Sequence, residues 1–153
     1  MIFKNTLKIF LFVILLNGCG YTPIFKNFEN LNFSINIEDT IGSRKINNLI
    51  VSSLNNYSKQ DSIKKYNISI NTKYTKNIIA KDSTGAATEY KLILNSTFKV
   101  TSLNYSSEFN FTESFNMQSM NNKLEENDYE ENIQENLTNT ITNKLVLRLS
   151  QLK

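Results

Sequence analysis

Histidine and tryptophan are absent from this 153-residue chain, cysteine and proline occur once each, and there are four glycines. Without histidine the chain lacks the commonest general base, the commonest zinc ligand and every Ser-His or Cys-His dyad. One cysteine excludes an internal disulfide and a thiolate metal cage. One proline leaves no proline-rich linker, and the length suits a single domain. Asn, by contrast, occurs 24 times, with Ile and Lys abundant beside it. This compositional drift makes polar faces Asn-rich. It also creates Asn-x-Ser/Thr triplets at Asn32, Asn56, Asn67, Asn95, Asn104, Asn110 and Asn136, which chance explains and which are discarded as glycan sites. Catalysis therefore starts furthest behind among the functional readings.

The N-terminus carries the strongest signal. Lys4 and Lys8 form a positive segment, and Ile9 to Leu16 is an unbroken apolar run. A membrane-spanning helix needs about 20 apolar residues, so the run is too short for a stable span and fits the core of a secretory leader. Leu16-Asn17-Gly18-Cys19 resembles the bacterial lipobox, with Asn17 departing from the usual small or apolar residue. In such proteins the leader is cut before the Cys, here after residue 18. The Cys carries diacylglycerol on sulfur and an acyl chain on its new amine. Cys19 is thus the expected lipidation site, and two chains already give stable anchoring. Gly20 stands where Asp would resemble an inner-membrane retention signal, which points to the outer membrane. Removing Lys4 and Lys8 lowers the net charge from +3 to +1. No basic field remains to argue for nucleic acid.

Residues 19–32 hold the only proline and scattered aromatics, and read as an extended lipidated tether. From residue 33 to 153 the patterning predicts one α+β domain. Phe33, Ile35 and Ile37 alternate with polar residues as a half-buried strand. After Gly42 and Ser43 the period changes: Ile46, Leu49, Ile50, Leu54 and Tyr57 share one stripe of a helix of about 15 residues. Tyr66, Ile68, Ile70, Thr72 and Tyr74 alternate again, and Lys81-Asp-Ser-Thr-Gly85 supplies a turn. A third strand points Tyr90, Leu92, Leu94, Phe98 and Val100 inward and Glu89, Lys91, Asn95, Thr97 and Lys99 outward. Ser106-Ser107 marks the next turn, before Phe109, Phe111, Phe115 and Met117 on one face of a fourth strand. These strands suggest an antiparallel meander with one packed and one wet face.

A long helix from about Asn122 completes the chain. Asn122 with Glu125, or Asp128 with Glu131, can form a capping box. Acidic residues crowd its start and Lys144, Arg148 and Lys153 its end, complementing the helix dipole. Tyr129, Ile133, Leu137, Ile141, Leu145 and Leu149 make a spiralling apolar stripe that covers the sheet. The predicted fold is β-α-β-β-β-α, a four-stranded mostly antiparallel sheet with two helices on one face. The pairs Glu125/Glu126 and Glu130/Glu131 are expected in an exposed first turn, without the burial or partners that would tune them for catalysis. No metal, cofactor or enzymatic activity is expected.

Cys19-Gly-Tyr-Thr-Pro-Ile-Phe25 resembles the opening of the lipopolysaccharide-assembly lipoproteins of the LptE family. Thr84-Gly-Ala-Ala-Thr-Glu-Tyr-Lys-Leu92 resembles the turn and third strand of that family. The long helix after Ser114-Phe-Asn116 agrees in place and length. This resemblance implies a non-enzymatic, outer-membrane lipoprotein facing the periplasm. It would sit largely inside the lumen of the β-barrel translocon LptD, help that barrel assemble, and bind lipopolysaccharide in transit. The ligand's lipid A phosphates would call for cations. Lys76, Lys81, Lys91 and Lys99 are placed by the pattern at the third-strand turn and on that strand's outward face. Lys81 and Lys91, with Lys99, are the candidate contacts, and solvated lysines that discourage edge pairing are the bland alternative. Another lipoprotein role, as scaffold or pilot of a secretion or pilus complex, shares the anchor and fold and differs only in partner.

Overall fold

In the computed structural model the described residues are 33–58 and 62–152. The expected leader, Cys19 and the tether at 19–32 lie outside them. Strand β1 (Phe33–Gly42) places Phe33, Ile35 and Ile37 toward the core, then bulges between Ile37 and Asp39. Gly42 adopts φ +100° as the last residue of the strand, and helix α1 (Arg44–Asn55) follows after its N-cap Ser43. Ile46, Ile50 and Leu54 of α1 are buried as the stripe predicts, and so is Asn47.

Strand β2 (Lys64–Lys81) then lies parallel to β1, with Ile35 opposite Tyr66 and Ile37 opposite Ile68. This departs from a full meander, and the reason is topological. A helical crossover returns the chain to the same end of the sheet, so the next strand runs the same way. Strands β3 (Ala87–Ser102) and β4 (Tyr105–Gln118) add antiparallel hairpins, giving the order β1-β2-β3-β4. The β3–β4 turn sits at Leu103–Asn104 rather than Ser106-Ser107, because Ser106 and Ser107 pair with Thr101 and Val100.

Helix α2 (Lys123–Gln151) is capped as the first of the two alternatives has it. The Leu124 N–H donates to Asn122 Oδ1 at 3.0 Å, and Asn122 Nδ2 donates to Glu125 Oε1 at 3.0 Å. Ile133, Leu137, Ile141, Leu145 and Leu149 are buried, while Tyr129 is partly exposed against Phe115. Thr138 and Thr142 share the buried face because each hydroxyl donates to a carbonyl one turn back, at Gln134 and Thr138. The core is completed by Ile68, Ile70, Leu92, Leu94, Phe98 and Val100, all of the inward parity on β2 and β3.

Both helices cover that one sheet face. Thr72 Oγ1 donates to Asn47 of α1 at 2.7 Å, and Tyr74 Oη donates to Glu130 of α2 at 2.8 Å. Glu113 on the inward side of β4 pairs with Lys144 of α2, and Lys45 of α1 meets Glu131 of α2 at 2.6 Å. The opposite sheet face has no covering element among the described residues.

Candidate binding face of the sheet

The uncovered face follows from period-two alternation: every residue between two core residues points away from the helices. Across β2, β3 and β4 the rows read Ser69–Lys99–Glu108, Asn71–Thr97–Asn110, Lys73–Asn95–Thr112, Thr75–Ile93–Ser114 and Asn77–Lys91–Asn116. Ile93 is the lone large apolar residue in these rows. Cross-strand hydrogen bonds knit the surface. Thr97 Oγ1 donates to Asn110 Oδ1 at 2.6 Å, Thr112 Oγ1 to Asn95 Oδ1 at 2.7 Å, and Asn36 Nδ2 to Asn67 Oδ1 at 3.3 Å. Directly opposed side chains of this kind each stabilise a sheet by roughly 0.2–1 kcal/mol. The result is a long surface of amides and hydroxyls that satisfies itself and still offers donors and acceptors.

Lys91 and Lys99 stand exposed on this face, and Lys81 is the exposed last residue of β2, opposite Ala87. The three do not converge. Along β3, Lys81's partner and Lys91 are separated by about 14 Å, and Lys91 and Lys99 by about 27 Å, at ~3.4 Å per residue. Lys99 faces Glu108 across the β3–β4 ladder. Lys81 and Lys91 therefore belong to one end of the sheet and Lys99 lies toward the other. Two outward lysines were not singled out from the sequence, Lys65 and Lys73. The alternation that placed Tyr66 and Tyr74 inward was the signal that would have found them.

Beside Lys81 the chain turns through Asp82-Ser-Thr-Gly85. Asp82 Oδ1 accepts from the Thr84 N–H at 2.8 Å, the Thr84 hydroxyl at 2.7 Å and the Ala86 N–H at 3.0 Å. These bonds, led by the Thr84 hydroxyl, hold the Asp82 carboxyl below its ordinary range. A shallow cleft of about 370 Å³ opens at the base of this turn, lined by Asp82, Thr88, Tyr90, Asn121 and Lys123 among others.

Lys76 does not belong with the outward lysines. It sits on β2 opposite Leu92, two residues past Tyr74, and so takes the inward parity. Its ammonium donates to Glu130 at 2.8 Å and Glu126 at 3.3 Å and lies 4.2 Å from the centroid of the Tyr90 ring. Burial opposes the charge on Lys76, but the two carboxylates outweigh it and raise its pKa.

Glu126 and Glu130 likewise depart from the exposed first turn expected of them. Glu126 is only 3% exposed. It accepts from the Met120 N–H at 2.9 Å, Ser119 Oγ at 3.0 Å and Lys123 Nζ at 3.0 Å, besides Lys76. The Met120 backbone bond leads in lowering its pKa to about 2, against the opposing effect of burial. For Glu130 burial is the largest influence and raises the pKa, but the bonds from Lys76 and Tyr74 prevail and lower it. Burial also pushes the Tyr74 phenol up. These shifts fix the carboxylates as ions and the phenol as neutral, which fastens the start of α2 to the sheet. A general acid would need a carboxyl shifted the other way. Among the described residues no group of three acidic or cysteine side chains is placed to hold a metal ion.

The domain resembles solved structures of bacterial lipoproteins. It superposes on rare lipoprotein B from Shewanella oneidensis with a TM-score of 0.57 at 12% identity, over 74% of this chain and 92% of that one. The chain shares that fold. A minor lipoprotein from Acinetobacter baumannii gives 0.55 at 14% identity, over 78% and 92% of the two chains. A lipoprotein B from Nitrosomonas europaea gives 0.51 at 12% identity, over 78% and 84%. No protein-family model matches the sequence, and no curated protein matches it at a significant level.

Proposed function

We propose that the protein is a lipid-anchored outer-membrane lipoprotein of the LptE type, which seats in the lumen of a β-barrel translocon, LptD, and accompanies lipopolysaccharide to the outer leaflet. The observation that carries this reading is the asymmetry of the sheet. Two helices cover one face, while among the described residues nothing covers the other over strands of 14–18 residues in β2, β3 and β4. Nearly all of its outward side chains are amides, hydroxyls or charges. Such a face gains little from burial against oil, but it suits the polar, water-lined interior of a large barrel. Bridging waters make a wet contact of this kind tight without making it hydrophobic.

The lipobox at Leu16–Cys19 and the fold shared with bacterial lipoproteins support the same reading. Residues 20–32, if extended, would span roughly 40 Å, enough to reach from a leaflet into a lumen. Lys81 and Lys91, at one end of the face, are the cations proposed to meet lipid A phosphates, with Lys99 further along. Affinity capture of the acylated protein from native membranes tests the proposal. Recovery of a large β-barrel protein with bound glycolipid supports it, and recovery of a secretin or a pilin in its place refutes it.

A further inference from the structure

At the end of the sheet where β1 and β2 begin, two large aliphatic side chains stand in the open. Ile63, immediately before β2, is 92% exposed, and Leu103, in the β3–β4 turn, is 102% exposed. Leu103 is unexpected there, because tight turns ordinarily take Gly, Asn, Asp or Ser at their tips. Single exposed aliphatics are common, but these two flank one cleft of about 830 Å³, which they line with Lys64, Lys65, Tyr105 and Leu152. The assembly is amphipathic in a specific sense: apolar tips at the extremity, cations and a tyrosine just behind them. Lys64 Nζ donates to the Leu152 carbonyl at 2.8 Å, which keeps that ammonium at the rim.

The place of this cleft in the fold identifies its occupant. Phe33 opens β1 opposite Lys64, so the chain that follows Cys19 joins the domain at this end. We infer that Ile63, Leu103 and the lysine-rimmed cleft form a lipid-docking tip, which enters the headgroup layer of the phospholipid leaflet that holds the anchor before the domain seats in the barrel. This inference rests on the lipoprotein reading above. Branched aliphatics enter the acyl boundary, lysines reach lipid phosphates, and tyrosine sits between them, the arrangement that interfacial proteins use. The tip would set the domain's orientation with the β2–β3 turn pointing away from that leaflet.

The chain contains no tryptophan, so one introduced residue reports its own surroundings. The full acylated protein, as Ile63→Trp, Leu103→Trp or Ser83→Trp, is placed in vesicles of phosphatidylcholine and phosphatidylglycerol containing acyl-brominated lipid. Emission from the Ile63→Trp and Leu103→Trp variants is expected to be quenched by about two-fold or more and shifted to the blue. Emission from Ser83→Trp, at the opposite turn, should stay as in water, and adding Lys65→Glu to the first two variants should reduce their quenching. Unquenched emission at 63 and 103 overturns the inference, as does equal quenching at 83. Shielding at 63 and 103 that appears only with the barrel and without lipid quenching overturns it too. Intact mass reads the anchor separately: an unmodified Cys19 refutes the lipoprotein reading, while the three emission spectra still decide the tip.

Discussion

Gly42 provides the sharpest test of how this fold is held together. It ends β1 at φ +100° and pairs with Thr72 of β2. A Cβ at this position would lie 1.8 Å from the Thr72 carbonyl oxygen and 2.8 Å from its carbonyl carbon. Both are backbone atoms within the β1–β2 ladder, so no side-chain rotation relieves the clash. For Ala the left-handed backbone alone costs about 1–2 kcal/mol. Separating the strands to make room also disturbs a buried link, in which Thr72 donates to Asn47 and Asn47 Nδ2 donates to the Ile41 carbonyl at 3.1 Å. Leaving a buried partner unsatisfied costs about 1–3 kcal/mol. Gly42→Ala should therefore destabilise the domain by about 2–5 kcal/mol, a large share of a typical 5–15 kcal/mol.

Gly85 is the internal control. Its φ is +85°, but nothing lies within 4 Å of the position a Cβ would take. Gly85→Ala thus carries the backbone cost of about 1–2 kcal/mol without the clash. Thermal unfolding followed by far-ultraviolet circular dichroism separates the two. For a domain of this size each kcal/mol lowers Tm by about 3–6 °C, so Gly42→Ala should melt about 6–30 °C below wild type and Gly85→Ala about 3–12 °C below. Equal melting temperatures for the two variants would refute the close approach at Thr72 and, with it, the β1–β2 register.

Three further outcomes follow from the same structure. Glu126→Gln should cost about 1–3 kcal/mol at neutral pH by removing charge-assisted bonds. Because the folded pKa is lowered to about 2, below the ordinary 4.5, this contribution is present above pH 4.5 and fades as pH falls toward 2. Denaturant titrations of the two proteins should converge over that interval, and a gap that widens in acid would contradict the buried ionised carboxylate. Leu92 is fully buried, and Leu92→Asp should cost about 3–5 kcal/mol by burying an unpaired charge; wild-type unfolding in that variant would show the β3 alternation to be out of register. Cys19→Ala should leave the precursor uncut and unacylated, and intact mass showing normal acylation in that variant would contradict the lipobox.

Much of this fold is written in local alternation. The inward set on β3, Leu92 to Val100, and the stripe of α2 that steps by four from Ile133 to Leu149 are buried as their spacing implies. The Asn122 cap is also where the short-range pattern places it. What the pattern leaves open depends on contacts distant in sequence. Glu126 reads as one more acid at a helix start, and only the approach of Lys76, fifty residues away, and of Ser119 and Met120 makes it a buried ion. Lys76 was misplaced for a simpler reason, since its even position on β2 already sets it beside Tyr74. The parallel pairing of β1 was implicit in the strand-helix-strand order, because a crossover helix reverses the return direction. The candidate face itself was legible as the polar half of the alternation. The spread of Lys81, Lys91 and Lys99 along it became clear only from the ladder register.

Site-specific photocrosslinking from positions 81, 91 and 99 in native membranes tests the central claim most directly. The account predicts adducts to a large outer-membrane β-barrel, with glycolipid captured from 81 and 91 at the end of the sheet. Efficient crosslinks to a secretion or pilus component from these same positions, with neither barrel nor glycolipid captured, would contradict it.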